Sequence, residues 1–259
     1  MKIILIAFLT LFFTISSEGK RTEVFQVGEV LEYDVSFWGV SLGTITVEST
    51  AIEDYQGKKI YRANSTMKTN SGIPFIELND KFSTWMDPSL SYTYKFTANS
   101  KLDDDKWGFQ QIDFNYSDQE IKLQEWKDKV LTTDTIISSK RKFNDGTSLF
   151  FIARAFLDYG KTIKIPTMIN VHNSTTIINF RNKVENISNS HIGYDVETIY
   201  FDGQALWEGI YGLKGNFEGW FSNDEAAVPI LAKMNVYIGT VNLELKSWKR
   251  KGWTPPKAK

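Results

Sequence analysis

Apolar and polar residues alternate along most of this chain. In residues 30–37 the side chains of Leu31 and Tyr33 fall on one side, and charged or hydroxyl-bearing residues fall between them. Alternation with a period of two predicts a half-buried antiparallel strand. A turn at residues 39–43 and a second alternating stretch at 44–48 complete a predicted hairpin.

The same alternation returns in short stretches that are separated by turn-forming residues. Predicted strands lie at 60–63, 75–85, 92–96, 107–116, 121–126, 130–137, 161–170, 173–184, 194–202, 213–222, 227–237 and 239–248. Turns at such close intervals predict a meander of hairpins. The predicted fold is therefore mostly β: a single-domain curved antiparallel sheet or open half-barrel.

One segment breaks the alternation and predicts a buried helix near residues 147–158. Asp145 or Thr147 can cap its start, and Gly160 can end it. The apolar face recurs with helical spacing at Leu149, Ile152, Ala153 and Phe156. Additional apolar residues widen this face, so we expect the helix to lie against the sheet.

Residues 1–19 have the layout of a secretory signal peptide, with Lys2 ahead of an apolar run at 3–15. The run is shorter than the roughly 20 residues needed to span a bilayer. Cleavage is predicted after Gly19, with a cut after Ser17 as the alternative.

The mature chain is predicted to be one β-rich domain at residues 20–250. A basic, proline-containing tail at 251–259 is expected to be loosely ordered and flexible. No linker of low complexity divides the domain, and no later segment reaches transmembrane length.

Composition narrows the compartment and the partners. The chain has no cysteine, which excludes disulfides, thiolate metal sites and the modified cysteine of a lipid-anchored protein. We therefore expect an exported protein without a lipid anchor. The net charge of −1 is spread along the chain, and no basic stripe suits nucleic acid.

Residues suited to catalysis or metal binding are sparse. His172 and His191 are predicted at exposed turns and lack metal-ligand spacing. Ser148 lies where a hydroxyl would cap the helix. The acidic residues 103–105 could bind calcium, but without EF-hand spacing they are more typical of a solvated turn. We expect no metal and no cofactor.

Carboxylates are the remaining candidates for chemistry. Asp224 and Glu225 follow Trp220 in the stretch 219–231, but strand neighbours point to opposite faces. Their carboxylates would converge only through an unusual turn. The simpler interpretation is that the pair forms the solvent-exposed tip of a hairpin. We expect a non-enzymatic protein, with a glycan hydrolase as an alternative because such enzymes need two facing carboxyl groups.

Several stretches of the chain, taken in their order, resemble those of a known family. These stretches lie at residues 25–36, 43–47, 145–154, 219–230 and 238–245. Together they resemble the exported bacterial proteins grouped as domain-of-unknown-function family 3108, over roughly residues 24–247. The resemblance implies an exported β-rich protein in the periplasm or at the cell surface of a bacterium, and it implies no catalytic residues. The late hairpin is also similar to one in periplasmic lipoprotein carriers, whose curved sheet half-wraps a helix and holds acyl chains; that likeness is one of architecture.

Aromatic residues make up 14% of the chain. Packing beneath the helix would use some of these rings, and a strongly curved sheet would leave others lining a cavity. The predicted lining residues are Trp85, Tyr94, Phe96, Trp107, Phe109 and Trp220. The predicted function is binding or carrying a lipid, another hydrophobic ligand or an acylated partner in the periplasm. The alternative is an envelope scaffold or assembly factor that works through protein contacts.

Overall fold

The computed structural model describes residues 20–74, 77–102, 106–170, 172–209, 212–236 and 239–259. The predicted signal peptide at 1–19 and the acidic residues 103–105 lie outside the described residues. Among the described residues, no helix has the length and apolar character needed to cross a membrane.

Fourteen strands and one α-helix make up the described fold. The strands are β1 (Val30–Phe37), β2 (Val40–Tyr55), β3 (Lys58–Thr69), β4 (Asn79–Met86), β5 (Thr93–Lys101), β6 (Trp107–Asn115), β7 (Glu120–Lys127), β8 (Val130–Ser138), β9 (Thr162–Ile169), β10 (His172–Asn189), β11 (Ile192–Ala205), β12 (Gly215–Ser222), β13 (Pro229–Val236) and β14 (Gly239–Lys249). Helix α1 (Gly146–Ala155) precedes a 3₁₀ turn at Leu157–Tyr159. The mostly β fold and the helix predicted near 147–158 are confirmed.

All fourteen strands form one antiparallel sheet in the order β8-β7-β6-β5-β4-β3-β2-β1-β14-β13-β12-β11-β10-β9. Two meanders therefore meet where β1 pairs with β14. The helix lies in the connection between β8 and β9, the two edge strands. The sheet curves around the helix without closing.

Successive hairpins alternate between two ends of this sheet. The connections β1–β2, β3–β4, β5–β6, β7–β8, β9–β10, β11–β12 and β13–β14 leave from one end, which we call the mouth end. Helix α1 and the C-terminal residues lie at the opposite end, which we call the helix end.

The two edges of the sheet approach each other through side chains. Met168 of β9 is fully buried with Phe96, Ile112 and Leu123 from β5, β6 and β7. Phe143, just ahead of the helix, joins the same cluster. This packing brings β9 against the inner face of the other meander, so the open sheet acquires a barrel-like interior.

A buried carboxylate fixes the start of the helix. Asp145 accepts hydrogen bonds from the backbone N–H of Thr147 at 2.8 Å and of Ser148 at 2.9 Å. It also accepts from the hydroxyls of Thr84 at 2.6 Å and Thr93 at 2.8 Å. The N-cap predicted at Asp145 therefore also ties the helix to β4 and β5.

Residues 251–259, which we expected to be loosely ordered, instead lie against the helix end. The indole N–H of Trp253 donates to Asp224 Oδ2 at 2.8 Å, and the hydroxyl of Tyr194 donates to the carbonyl of Pro255 at 2.9 Å. Although the tail contains proline and basic residues, it packs on the protein, because its backbone groups form hydrogen bonds with backbone groups of β11.

Candidate functional site

A cavity of about 930 Å³ occupies the interior between the helix and the mouth end. Its size is at the upper end of the roughly 300–1,000 Å³ typical of ligand pockets. Leu149 and Phe150 of the helix form its floor, and Leu42, Leu102 and Leu213 lie at its mouth. The walls are mostly apolar and include Val35, Ile45, Met67, Phe82, Ile178, Phe217, Phe221, Met234, Val241 and Leu243.

Small residues on the inner face leave this space open. Ala98, Ala205 and Ala232 line the wall, as do Gly43 and Gly146. Larger side chains at the three alanine positions would project into the volume. The cavity therefore follows from the sequence of the inner face as well as from the curvature of the sheet.

Two glycine–phenylalanine pairs shape one wall of the cavity. Gly203 lies opposite Phe217 and Gly219 lies opposite Phe201 in the register of β11 and β12. A Cβ on either glycine would lie 2.4 Å from its partner's ring, so each ring rests directly on the backbone of the neighbouring strand. The rings flatten against the sheet and narrow the cavity less than upright rings would.

A polar group also faces the cavity on β6 and β7. Gln110 and Glu125 both line the wall. The Gln110 amide donates to Glu125 Oε1 at 3.1 Å, and the Thr133 hydroxyl donates to Glu125 Oε2 at 2.8 Å. Both carboxylate oxygens are therefore hydrogen-bonded within the protein.

Two of the six predicted lining residues lie on the cavity wall. Phe96 is buried in β5 and packs near Phe82, with ring centroids 6.1 Å apart. Phe109 lies nearer the mouth, where its ring is 5.3 Å from that of Trp126. The structure therefore places these two residues on the wall of one cavity.

Two predicted tryptophans point away from the cavity because their strand neighbours face inward. Trp85 lies under the guanidinium of Arg62, 5.4 Å from the ring centre. Trp220 donates its indole N–H to Glu185 Oε2 at 2.6 Å, while its neighbour Phe221 lines the cavity.

The other two predicted lining residues lie at the ends of strands. Tyr94 is at the helix end, where its hydroxyl donates to Asp87 Oδ2 at 3.2 Å. Trp107 begins β6 at the mouth end and is 39% exposed. Ring content alone selected these residues, whereas the missed wall residues Ala205 and Ala232 have no ring.

Of the two candidate carboxylates at residues 224 and 225, Asp224 is held by hydrogen bonds in the β12–β13 connection and to the C-terminal tail. Asp224 Oδ1 accepts the backbone N–H groups of Ala226 at 3.0 Å and Ala227 at 3.1 Å, and Oδ2 accepts from Trp253. Glu225 is exposed. Asp224 thus organises the hairpin turn.

Another pair of carboxylates meets in an outer depression of about 500 Å³. Asp202 and Glu218 are cross-strand neighbours on β11 and β12. Hydrogen bonds from Arg181, at 2.7 Å from Nε, lower the pKa of Asp202. A glycosidase needs a carboxylic acid whose pKa is raised, so Asp202 is unsuited to that role.

The histidines and other metal-ligand types do not assemble in the described part of the chain. His172 begins β10 and His191 lies in the β10–β11 turn, both exposed. No group of three or more histidine and acidic side chains is placed to hold a metal among the described residues.

The strongest buried electrostatic contact lies at the helix end, away from the cavity mouth. Arg154 of the helix contacts Glu29 through Nη1 at 2.7 Å and Nη2 at 3.0 Å, and it also donates to the carbonyl of Ala226. Arg250 donates to the same carboxylate. Burial raises the pKa of Glu29, but the charges and hydrogen bonds of the two arginines outweigh burial and hold the pKa below its ordinary value.

Comparison with known proteins agrees with this fold. A family model described as a protein of unknown function (DUF3108) matches residues 32–246, which confirms the resemblance drawn from the sequence. A solved structure from Brucella abortus, described as a beta-barrel-like protein of domain of unknown function DUF1849, aligns with a TM-score of 0.55 and 11% identity, covering 87% of this chain and 98% of that one. At this identity the likeness concerns the fold alone.

A second solved structure, from Bacteroides fragilis, is described as a protein thought to be exported, with a YmcC-like fold. It aligns with a TM-score of 0.36 and 9% identity, covering 87% of this chain and 97% of that one. No functionally curated protein matches the chain.

Proposed function

This chain belongs to the DUF3108 family, whose function is unknown, and from its cavity we propose that it binds and carries a hydrophobic ligand. The ligand is a lipid, or the acyl chain of a modified partner, and the protein acts in the periplasm without catalysing a reaction. The observation that carries the proposal is the apolar-walled interior of about 930 Å³.

Physical chemistry favours an occupant for such a space. Transfer of apolar surface from water into an apolar site contributes about 25 cal/mol per Å², and an empty cavity also forgoes dispersion contacts with its walls. The flattened Phe201 and Phe217 rings and the alanines of the wall keep the space wide enough for a chain-like ligand.

Extraction of the purified full chain followed by lipid mass spectrometry tests the proposal. Phenylalanine at Ala98 or Ala232 would place a ring inside the cavity and obstruct it, whereas Ala51→Phe on the β2 strand serves as a control outside it. We expect an apolar compound to copurify with the native protein and with Ala51→Phe, and to be lost from Ala98→Phe and Ala232→Phe. A native protein without such a compound, or filled variants that retain it, would contradict the proposal.

An envelope scaffold is the second candidate, and the edge strand β8 favours it. One side of β8 pairs with β7, and its other side is an edge of the sheet. Val130, Leu131 and Ile136 on this strand are exposed. Exposed strand edges recruit extended segments of other proteins. If this role holds, Ile136→Lys should abolish capture of one dominant partner from envelope extract while copurifying lipid is unchanged.

A further inference from the structure

Exposed apolar side chains concentrate at the mouth end. Most of the large ones among the described residues belong to the mouth-end turns or to the strand ends beside them, namely Trp38, Val40, Trp107, Phe109, Val130, Leu131 and Leu206. They come from four different connections. We call these seven residues the apolar rim.

Trp38 is the most exposed member of the rim. Its side chain is 90% exposed, at the tip of the β1–β2 hairpin. Its backbone has a φ of 48°, a left-handed conformation that is costly for a bulky residue. Its ring stacks on Phe37 with centroids 5.1 Å apart, so the indole is held in place while it projects into solvent. Tryptophan is enriched where proteins meet the interface of a bilayer.

Charges near the rim are mixed in sign. Lys68, Lys127 and Lys129 are exposed there, and Asp128 and Glu77 are exposed beside them. Lysine stems can lie along an apolar surface while their ammonium groups reach polar headgroups. Interspersed charges of both signs suit a zwitterionic lipid surface better than a strongly anionic one.

The rim and the cavity share the same end of the molecule. The cavity wall extends to Leu102 and Leu213 in the mouth-end connections and to Leu42 near the mouth end of β2, and it includes Phe109 of the rim itself. An apolar ligand that left through this end into water would lose the free energy gained by burial of its apolar surface. A mouth placed against hydrocarbon removes that cost.

From this arrangement we propose that the apolar rim docks on the surface of a zwitterionic lipid bilayer. Side chains on separate hairpin tips can enter an interface together, each at the end of its own turn, without the continuous groove that a peptide needs. Docking would place the cavity mouth at the level of the acyl chains. The inference rests on the proposed function, since it explains how a hydrophobic ligand enters and leaves.

The absence of cysteine from the sequence makes a direct test practical. Single cysteines at Val130 and Leu206 place a polarity-sensitive fluorophore on two separate parts of the rim. Ile52 and Val184 are matched controls, because they are comparably exposed but lie outside the rim, toward the helix end of their strands. The labelled full chain is titrated with vesicles of phosphatidylcholine and phosphatidylethanolamine.

We expect the emission of both rim labels to shift to shorter wavelength on vesicle addition while both control labels stay unchanged. Equal shifts at all four positions would indicate unspecific adsorption and overturn the proposal. A shift of the rim labels with envelope protein but not with vesicles would assign the rim to a protein partner, which also overturns it.

Sedimentation with the same vesicles tests the largest rim side chain. Trp38→Ser should lower the partition coefficient roughly tenfold, given the contribution of a large buried apolar side chain, whereas Ile52→Ser should leave it unchanged. An unchanged partition coefficient for Trp38→Ser would contradict its role as an anchor.

Docking and ligand binding can fail separately. The cavity-filled Ala232→Phe variant should partition like the native protein although it carries no ligand, because it leaves the rim intact. Loss of copurifying ligand with normal docking would then report on the cavity, and loss of docking with normal ligand content would report on the rim.

Discussion

The helix end and the mouth end are built from the same strands, yet their interiors differ. At the helix end Phe151, Leu157 and Arg154 are fully buried, and each charge of the Glu29–Arg154 pair has several partners. At the mouth end the interior is a cavity, and large apolar side chains point into solvent. The residues that stabilise the fold and the residues that form the cavity therefore lie at opposite ends of the same strands.

One strand shows how the sequence makes this separation. Along β11 the inward residues nearer the helix end are Ile199 and Phe201, which are buried in the main core. Toward the mouth they change to Gly203 and Ala205, and Ala205 lines the cavity. The alternation that buries the strand continues unbroken, and only side-chain volume changes.

The largest expected effect comes from breaking the buried ion pair at the helix end. Arg154→Met removes the main partner of Glu29 and should lower the free energy of unfolding by about 3–5 kcal/mol. Arg181→Met, which breaks the more exposed contact with Asp202, should cost much less, because an exposed ion pair is screened by water. Urea unfolding of the two variants measures both. Equal losses would show that the helix end is not the stabilising region.

A larger side chain introduced into the interior of each end tests whether the helix end is packed and the mouth end is open. Ala155→Phe places a ring where the alanine is fully buried, and such overpacking should cost about 1–3 kcal/mol or more. Ala232→Phe adds the same volume to the cavity wall and should change the free energy of unfolding by less than about 1 kcal/mol. Thermal unfolding compares them, and a larger loss for Ala232→Phe would argue against an open cavity.

Much of the fold could be predicted because alternation and helix capping are local signals. Leu31 and Tyr33 are buried as the period of two requires, and Asp145 caps the helix. The cavity depends on contacts that local patterns do not carry. Met168 reaches the opposite meander, and the partner of Arg154 lies 125 residues away.

The candidate site was predicted less completely because rings were selected without regard to the face of the strand on which they lie. Phe217 and Phe221 both line the cavity, as the unbroken alternation along β12 requires, and Trp220 lies between them on the other face. Ring counting therefore selected Trp220, while Phe221 and Ala232 form the wall. Small residues signal open space only once the curvature of the sheet is known.

Acid should weaken the helix end through Glu29. Because its pKa is held below the ordinary value, Glu29 contributes stability above its unfolded pKa, about 4.3, and loses it as the pH falls through the folded-state pKa. Burial raises the pKa of Asp145 against its hydrogen bonds, so its contribution has the opposite sign. It is present below the unfolded pKa of about 3.9 and lost as the pH rises through the folded-state pKa.

Urea unfolding across the acid range separates these two carboxyl groups. Glu29→Gln should flatten the loss of stability as the pH falls below about 4.5. Asp145→Asn should steepen that loss, since it removes the opposing contribution. Profiles parallel to that of the native protein for both variants would place the acid sensitivity elsewhere.

The smallest expected effect concerns the buried Tyr33 and the half-buried Tyr116, whose hydroxyls differ in their hydrogen bonding. The Tyr33 hydroxyl is buried without a hydrogen-bond partner in the structure, and burial raises its pKa well above the ordinary value. Tyr116 donates to the carbonyl of Thr93 at 2.7 Å and accepts from the N–H of Phe143 at 3.2 Å.

Replacing each tyrosine by phenylalanine removes only the hydroxyl. Tyr33→Phe should be neutral or slightly stabilising, because an unpaired buried hydroxyl has already lost its water. Tyr116→Phe should cost about 1–2 kcal/mol, because it leaves the Phe143 N–H without its acceptor. Chemical unfolding distinguishes the two. A cost at Tyr33 equal to that at Tyr116 would reveal a partner for its hydroxyl and make the helix end more fully paired than the structure indicates.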